Sequence, residues 1–414
     1  MYKEGPKSLD VHDAGTSSPE LQSQHRDPRT YGVEFRELRY DAASLLGTTK
    51  ALGIWRVDST LPCEELPALI IACRGTESML DTIVNANGRP RSLADFLVSF
   101  VFTHSTLPEG NLAVELTSPQ LQAAEPPTSL ATHIKDLTVH GGFLNSATRL
   151  AALVARQLRG ANKDTPPLHV IFTGHSAGGA VASLLFLRSV LEARDNCKFH
   201  FTQRRNITSG RLEPHVRELT TRSLYQDPRL RLSCITFGSP PTLSADITGP
   251  LLQAPELAAN RRHILAFVNE SDLVARADQA YTRSLIDLYR SKHGLGSVMT
   301  SPIPCLDEGN SYVLPPLSFQ VEDQLKQDFM EIEGRQWKLP LPDYHILGDL
   351  VHLRKLLVET EGGDEQDRVL LAQTIPQREF QRLLYCGTRT HSRSYYNDRV
   401  NMLLRGRFNY RESW

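Results

Sequence analysis

The segment Gly174-His175-Ser176-Ala177-Gly178 is preceded by an apolar run, Leu168 to Thr173, and followed by a helix-like run, Gly179 to Leu187. A serine at such a junction sits on a sharp strand-to-helix turn. Small residues at Gly174, Gly178 and Gly179 let strand, helix and substrate approach closely, and the helix N-terminus faces a developing oxyanion. Ser176 is therefore the candidate nucleophile. A serine hydroxyl reacts poorly near neutral pH, so it needs a histidine base, an acid that orients the base, and hydrogen-bond donors for the tetrahedral oxyanion.

The acid is expected at the end of a later strand. The β-rich run Ile264 to Val268 leads into Asn269-Glu270-Ser271-Asp272-Leu273-Val274, which makes Asp272 the candidate. Its bland alternative is a loop aspartate capping the next helix. Of the 14 histidines, two lie in suitable late segments. His345 leads into a strand-like stretch through Leu353. His391 sits in the polar loop Arg389 to Ser394, where an imidazole can swing over the edge of a sheet, and is preferred for that reason. His345 is then a strand-end residue with a satisfied hydrogen bond. Upstream, the apolar run Ala68 to Cys73 breaks at Arg74-Gly75-Thr76, a turn that offers Thr76 as one oxyanion donor, with the N–H of Ala177 as the second.

Positioning these groups requires a mainly parallel sheet. The expected strands run near Ile54 to Val57, Leu69 to Cys73, Val170 to Thr173, Leu232 to Phe237, Ile264 to Val268 and Leu347 to Leu353. Helices are expected over Gly141 to Leu158, Gly178 to Arg194 and Ala277 to Lys292, with a further helix-like stretch from Tyr395 to Leu404. The cleft would open at the carboxyl ends of the strands.

Five separated blocks resemble the class 3 lipases, the fungal-type triacylglycerol and diacylglycerol lipase group of the α/β-hydrolase fold. They are Arg74-Gly75-Thr76-x-Ser78-x-x-Asp81, His140-Gly141-Gly142-Phe143, Thr173 to Ala180 around the serine, Thr236-Phe237-Gly238-Ser239-Pro240, and Phe267-Val268-Asn269-x-x-Asp272-x-Val274. A sixth, His391-Ser392-x-Ser394-Tyr395, resembles the family's histidine block. The resemblance implies an α/β-hydrolase with lid-type and C-terminal insertions. It implies Ser176 as nucleophile, Asp272 and His391 as triad partners, and Thr76 with Ala177 as oxyanion hole. The implied substrates are acylglycerols or related hydrophobic esters, with no metal and no organic cofactor.

The balance of 46 basic and 47 acidic residues, a formal net charge of −1, gives no electrostatic case for nucleic acid or a strongly anionic membrane. Lipid contact would have to be apolar. The aromatic-rich run Leu93 to Phe102 is a candidate lid for transient contact with a membrane or lipid-droplet surface, or else an extra core element. Residues 1–29 are polar and read as a disordered tail without a signal core, with the hydrolase domain over 30–414. No run of 18 or more apolar residues is present. A cytoplasmic location is expected, and the six cysteines read as free thiols. Two insertions look solvated: the arginine-rich stretch Thr202 to Arg231 and the acidic loop Glu359 to Asp367. Two other readings of the whole remain: a hydrolase or acyltransferase for a specialised-metabolite ester, and a non-catalytic lipase-like interaction or lipid-binding protein.

Overall fold

The apolar runs singled out above become the centre of one nine-stranded sheet. The structure is a computed structural model that describes residues 33–42, 50–59, 66–75, 89–93, 96, 136–160, 167, 169–206, 230–253, 263–295, 340–359, 366–383, 385–406 and 408–411. The strands are β1 (Val33–Asp41), β2 (Leu52–Ser59), β3 (Ala68–Cys73), β4 (Pro90–Ser92), β5 (Thr138–His140), β6 (His169–His175), β7 (Arg231–Phe237), β8 (Ile264–Asn269), β9 (Asp349–Glu359), β10 (Gln366–Ile375) and β11 (Phe408–Arg411). The helices are α1 (Gly141–Gly160), α2 (Ala177–Asn206), α3 (Thr248–Gln253), α4 (Gln279–Lys292), α5 (Gln377–Phe380) and α6 (Arg393–Leu404).

The order in the large sheet is β1-β2-β3-β6-β7-β8-β9-β10-β11, and β4 pairs with β5 in a separate ribbon. Strands β3, β6, β7, β8 and β9 run parallel, β1 and β2 extend one side as antiparallel neighbours, and β9 pairs antiparallel with β10 on the other. Parallel strands need crossover connections, and α2 supplies the one between β6 and β7. Register places Cys73 beside Gly174, His175 beside Phe237 and Phe237 beside Phe267, so the ends of four neighbouring strands meet at one level.

Burial explains the order of the layers. Along α1 the residues Phe143, Ala147, Leu150, Val154 and Leu158 recur at helical spacing and are all buried. In α2 every side chain from Ala177 to Leu191 is buried, as expected of a helix with apolar residues on all faces. Both helices join β3, β6 and β7 in the main core with Phe172 and Phe186 edge to face at 5.9 Å. Each such side chain contributes about 1.5–3 kcal/mol by leaving water. A second core around Ala266, Val268, Tyr281, Phe380 and Tyr385 packs other elements against β8 and β9.

Five strands were not expected: β1, β4, β5, β10 and β11. In β1 the apolar positions Val33 and Phe35 are followed by Leu38 and Tyr40, and the ladder shifts register between Glu37 and Arg39. That bulge breaks the period-two pattern a strand is read by. The acidic stretch joins β9 to β10, whose register puts Gln366 opposite Glu359, and 360–365 lie outside the described residues. So do most of the arginine-rich insertion, all of 1–29, and most of 93–102. Within 93–102, Leu93 and Phe96 are described, and both belong to the main core.

Candidate active site

The chain turns from β6 into α2 at Ser176, which adopts φ 58 although it is not glycine. A non-glycine side chain held in that region is strained, and here the surroundings enforce it. The Ser176 N–H donates to the Phe237 carbonyl at 2.9 Å, and the Gly179 N–H donates back to the Ser176 carbonyl at 2.8 Å. The glycines around it are needed for packing. A Cβ on Gly178 would lie 2.2 Å from the Cys73 carbonyl oxygen, and one on Gly174 would lie 2.4 Å from the Gly178 carbonyl carbon.

Asp272 follows β8 and is fully buried. Its carboxylate accepts the Val274 N–H at 2.9 Å and so caps the short 3-10 turn Leu273–Arg276. The capping role weighed as an alternative is thus real, and the same carboxylate also faces His391, whose Nδ1 lies 3.0 Å from each oxygen. An ionised carboxylate can only accept, so Nδ1 carries the proton and Nε2 is left as an acceptor. That Nε2 is 2.8 Å from Ser176 Oγ.

His391 closes a 3-10 turn, Arg389–His391, ahead of α6, whose N-cap is Ser392. Several bonds hold this loop to the sheet. Asn269 Nδ2 donates to the Thr390 carbonyl at 2.7 Å, the Gly387 N–H donates to the Ser271 carbonyl at 2.7 Å, and the Leu273 N–H donates to Gly387 at 3.0 Å. His175 contributes from the elbow itself: its Nε2 donates to the His391 carbonyl at 2.8 Å, and the two rings stack at 4.8 Å. Because a carbonyl only accepts, His175 holds its proton on Nε2. Burial, and then the neighbouring His391, push its pKa below the ordinary histidine value, which favours the neutral ring.

His345 lies elsewhere. It bridges to Leu243 before β9 begins, and its Nδ1 faces Gln381 Nε2 at 3.2 Å. Another Ser–His pair, His169 Nε2 with Ser233 Oγ at 2.8 Å, is buried near the amino ends of β6 and β7, away from the elbow. Ala177 heads α2, where backbone N–H groups have no intrahelical partner to bond. Thr76 lies outside the described residues. Gly75 before it touches the elbow: a Cβ there would be 2.6 Å from the His175 carbonyl oxygen.

Ser176 and Ala177 open onto a cavity of about 920 Å³. Phe143, Pro240, Val274 and Tyr344 give it apolar walls, and His140 stacks on Phe143 at 4.3 Å. Asp278, Gln279, Thr282 and Arg283 form a polar wall at the start of α4. Burial raises the Asp278 carboxyl to about 6, against the lowering effect of Arg276.

Tyr396 was not among the expected site residues. Its hydroxyl donates to Asp272 Oδ2 at 2.6 Å and accepts the Asn269 N–H at 3.0 Å. No signal marked it, since one tyrosine in a polar helix looks like any other. His175 was visible in the elbow motif but was given no role.

The mainly parallel sheet, with a serine at the tight turn between β6 and α2, defines an α/β-hydrolase fold. Residues 70–204, the stretch that carries the elbow, match the model of the family described as lipase (class 3). The chain is 33% identical over 121 residues to a secreted mono- and diacylglycerol lipase 2 of Gibberella zeae, covering 29% of this chain and 25% of that protein. It is 32% identical over 120 residues to lipase A of Sodiomyces alcalophilus, covering 29% and 24%. The match thus spans about a quarter of the length of these relatives. Among solved structures, the triacylglyceride lipase of Rhizomucor miehei is 17% identical, with 59% of this chain and 62% of that one covered and a TM-score of 0.33. The Gibberella zeae relative is described as secreted, which corrects the expectation of a cytoplasmic location. That expectation leaned on a polar first segment, and composition at one end is weak evidence of a compartment.

Proposed function

We propose that this chain is a serine esterase of the lipase type, cleaving carboxylic esters of acylglycerols or related hydrophobic esters through an acyl-enzyme. The observation that carries the reading is the line from Asp272 through His391 to Ser176, with Nδ1 on the carboxylate and Nε2 at 2.8 Å from Oγ. In this reading Ser176 Oγ attacks the ester carbonyl as its proton passes to His391 Nε2. Asp272 stabilises the imidazolium, and the Ala177 N–H with Thr76 stabilises the oxyanion. The C–O bond to the alcohol then breaks and His391 returns the proton to the leaving oxygen. Water, activated by the same imidazole, attacks the acyl-enzyme and restores Ser176.

The apolar walls of the cavity suit an acyl chain, and its size is within the range of small-molecule sites. Leu93 and Phe96 are buried in the main core, so contact with a lipid surface in this reading falls to the rest of 93–102. Arg188 would anchor that segment: its guanidinium sits 4.8 Å over the Phe96 ring and donates to the Phe96 carbonyl at 3.1 Å. The secreted description of the Gibberella zeae relative supports an extracellular setting. A panel of acylglycerols and simple esters of increasing chain length tests the reading. Turnover that disappears in Ser176→Ala is expected, and no turnover of any ester by folded protein would overturn it.

A further inference from the structure

We propose that His175 is a positioning residue of the reaction: its N–H fixes the backbone of His391, and its uncharged ring lies against the imidazole that becomes a cation during turnover. The proposal rests on the ester-hydrolase reading. His175 ends β6 directly before the nucleophile, so one half-buried side chain ties the elbow to the loop that brings the base. Three contacts meet on it. Its Nε2 donates to the His391 carbonyl at 2.8 Å, its ring stacks on the His391 ring at 4.8 Å with the planes 27° apart, and it lies edge to face with Tyr396 at 5.4 Å. Tyr396 in turn donates to Asp272, so the same ring touches the base and the group that holds the acid.

The bonds from Asn269, Ser271 and Leu273 secure Thr390 and Gly387, which precede the base. The bond from His175 secures residue 391 itself. Proton transfer from Ser176 Oγ to His391 Nε2 depends on holding their 2.8 Å separation, and a small misplacement of reacting groups costs rate steeply. The type of residue matters as well as its reach. When His391 takes the proton, Asp272 meets the new charge on one side and an uncharged aromatic face meets it on the other. A cation in place of that ring would oppose the same charge. The groups facing His175 are His391, Asp272, Tyr396 and Arg393. Burial lowers its pKa most, His391 and Arg393 act the same way, and Asp272 acts against them, while Tyr396 stays neutral. The uncharged ring is the form this setting favours.

Three variants of the full chain separate the donor from the charge, each checked for folding by circular dichroism and assayed on a soluble short-chain ester. His175→Phe keeps a ring and removes the donor, and should lower kcat about tenfold or more with KM within about twofold. His175→Gln supplies an uncharged amide donor, and should bring kcat back to within about threefold of wild type. His175→Lys also donates but carries a permanent charge. Its kcat should remain about tenfold down, and the acid limb of its kcat/KM profile should move about half a pH unit or more toward lower pH, because a nearby cation opposes protonation of the base. The limb should stay within about 0.3 pH unit of wild type in the other two variants, which a loss of packing alone would also leave in place. His175→Arg repeats the charge test if the lysine variant does not fold. A glutamine variant no faster than the phenylalanine one, a fall carried by KM alone, or an unmoved limb in the charged variant would overturn the proposal. A folded wild-type protein that cleaves no ester would instead overturn the proposed function.

Discussion

The Tyr396 hydroxyl stands 2.6 Å from Asp272 Oδ2 and takes its own hydrogen bond from the Asn269 backbone at 3.0 Å. The tyrosine thus ties the acid of the site to the end of β8. Burial and the neighbouring carboxylate push its pKa well above the usual tyrosine value, so it remains a neutral donor. Tyr396→Phe should lower kcat about tenfold with KM little changed, because the imidazole's partner loses a fixed orientation that matters most in the transition state. It should also cost about 1–3 kcal/mol, since the Asn269 N–H is left buried without an acceptor. Steady-state kinetics on a soluble ester and a denaturant titration read both effects.

Gly238 makes this arrangement possible. It has φ +55, and a Cβ on it would lie 2.8 Å from both Asp272 Oδ2 and the Tyr396 hydroxyl. Gly238→Ala should therefore lose most activity and about 1–3 kcal/mol of stability, since strained backbone and displaced carboxylate act together. Turnover and thermal unfolding of the purified variant check this.

The choice between the histidines is tested directly. His391→Ala should reduce turnover by about three orders of magnitude or more, because only the base moves a proton in the transition state. His345→Ala should cost far less, since its ring contacts Gln381 rather than Ser176. Circular dichroism shows that each variant is folded, and the reverse order of activities would remove His391 from its role.

His352 governs a different property. It is fully buried in β9, neither ring nitrogen has a hydrogen-bond partner among the described residues, and its pKa is pushed down to about 3 by burial, helped by Arg354 and Arg399. The unfolded chain takes up a proton at this histidine below about pH 6.5, while the native state does not. Stability from the neutral ring is therefore full above that pH and is lost as pH falls toward about 3. Asp278 opposes part of this loss: its carboxyl titrates near 6 when folded, so between about pH 4 and 6 the native state holds the extra proton. His352→Leu should be about neutral near pH 7.5 and more stable than the parent near pH 5. Denaturant titrations at the two pH values measure the difference.

Much of this arrangement was legible in the chain because it is local. The elbow is one contiguous stretch, and the buried parallel strands are short apolar runs bounded by turns, as at Val170 to Thr173 and Leu232 to Phe237. What could not be read depends on distant partners. The β1 bulge hides its alternation, β11 is a four-residue strand paired to β10, and Tyr396 acquires its function only because α6 packs its hydroxyl against the end of β8. His175 belongs to the same class, since its bond to the His391 carbonyl crosses 216 positions of sequence.

The central claim is that Ser176 is an activated nucleophile, and a fluorophosphonate probe followed by intact-mass analysis and peptide mapping tests it most directly. The account predicts one adduct per chain, located on Ser176, absent in Ser176→Ala and strongly slowed in His391→Ala. A folded wild-type protein that takes no label, or a Ser176→Ala variant labelled as fast as wild type, would contradict it.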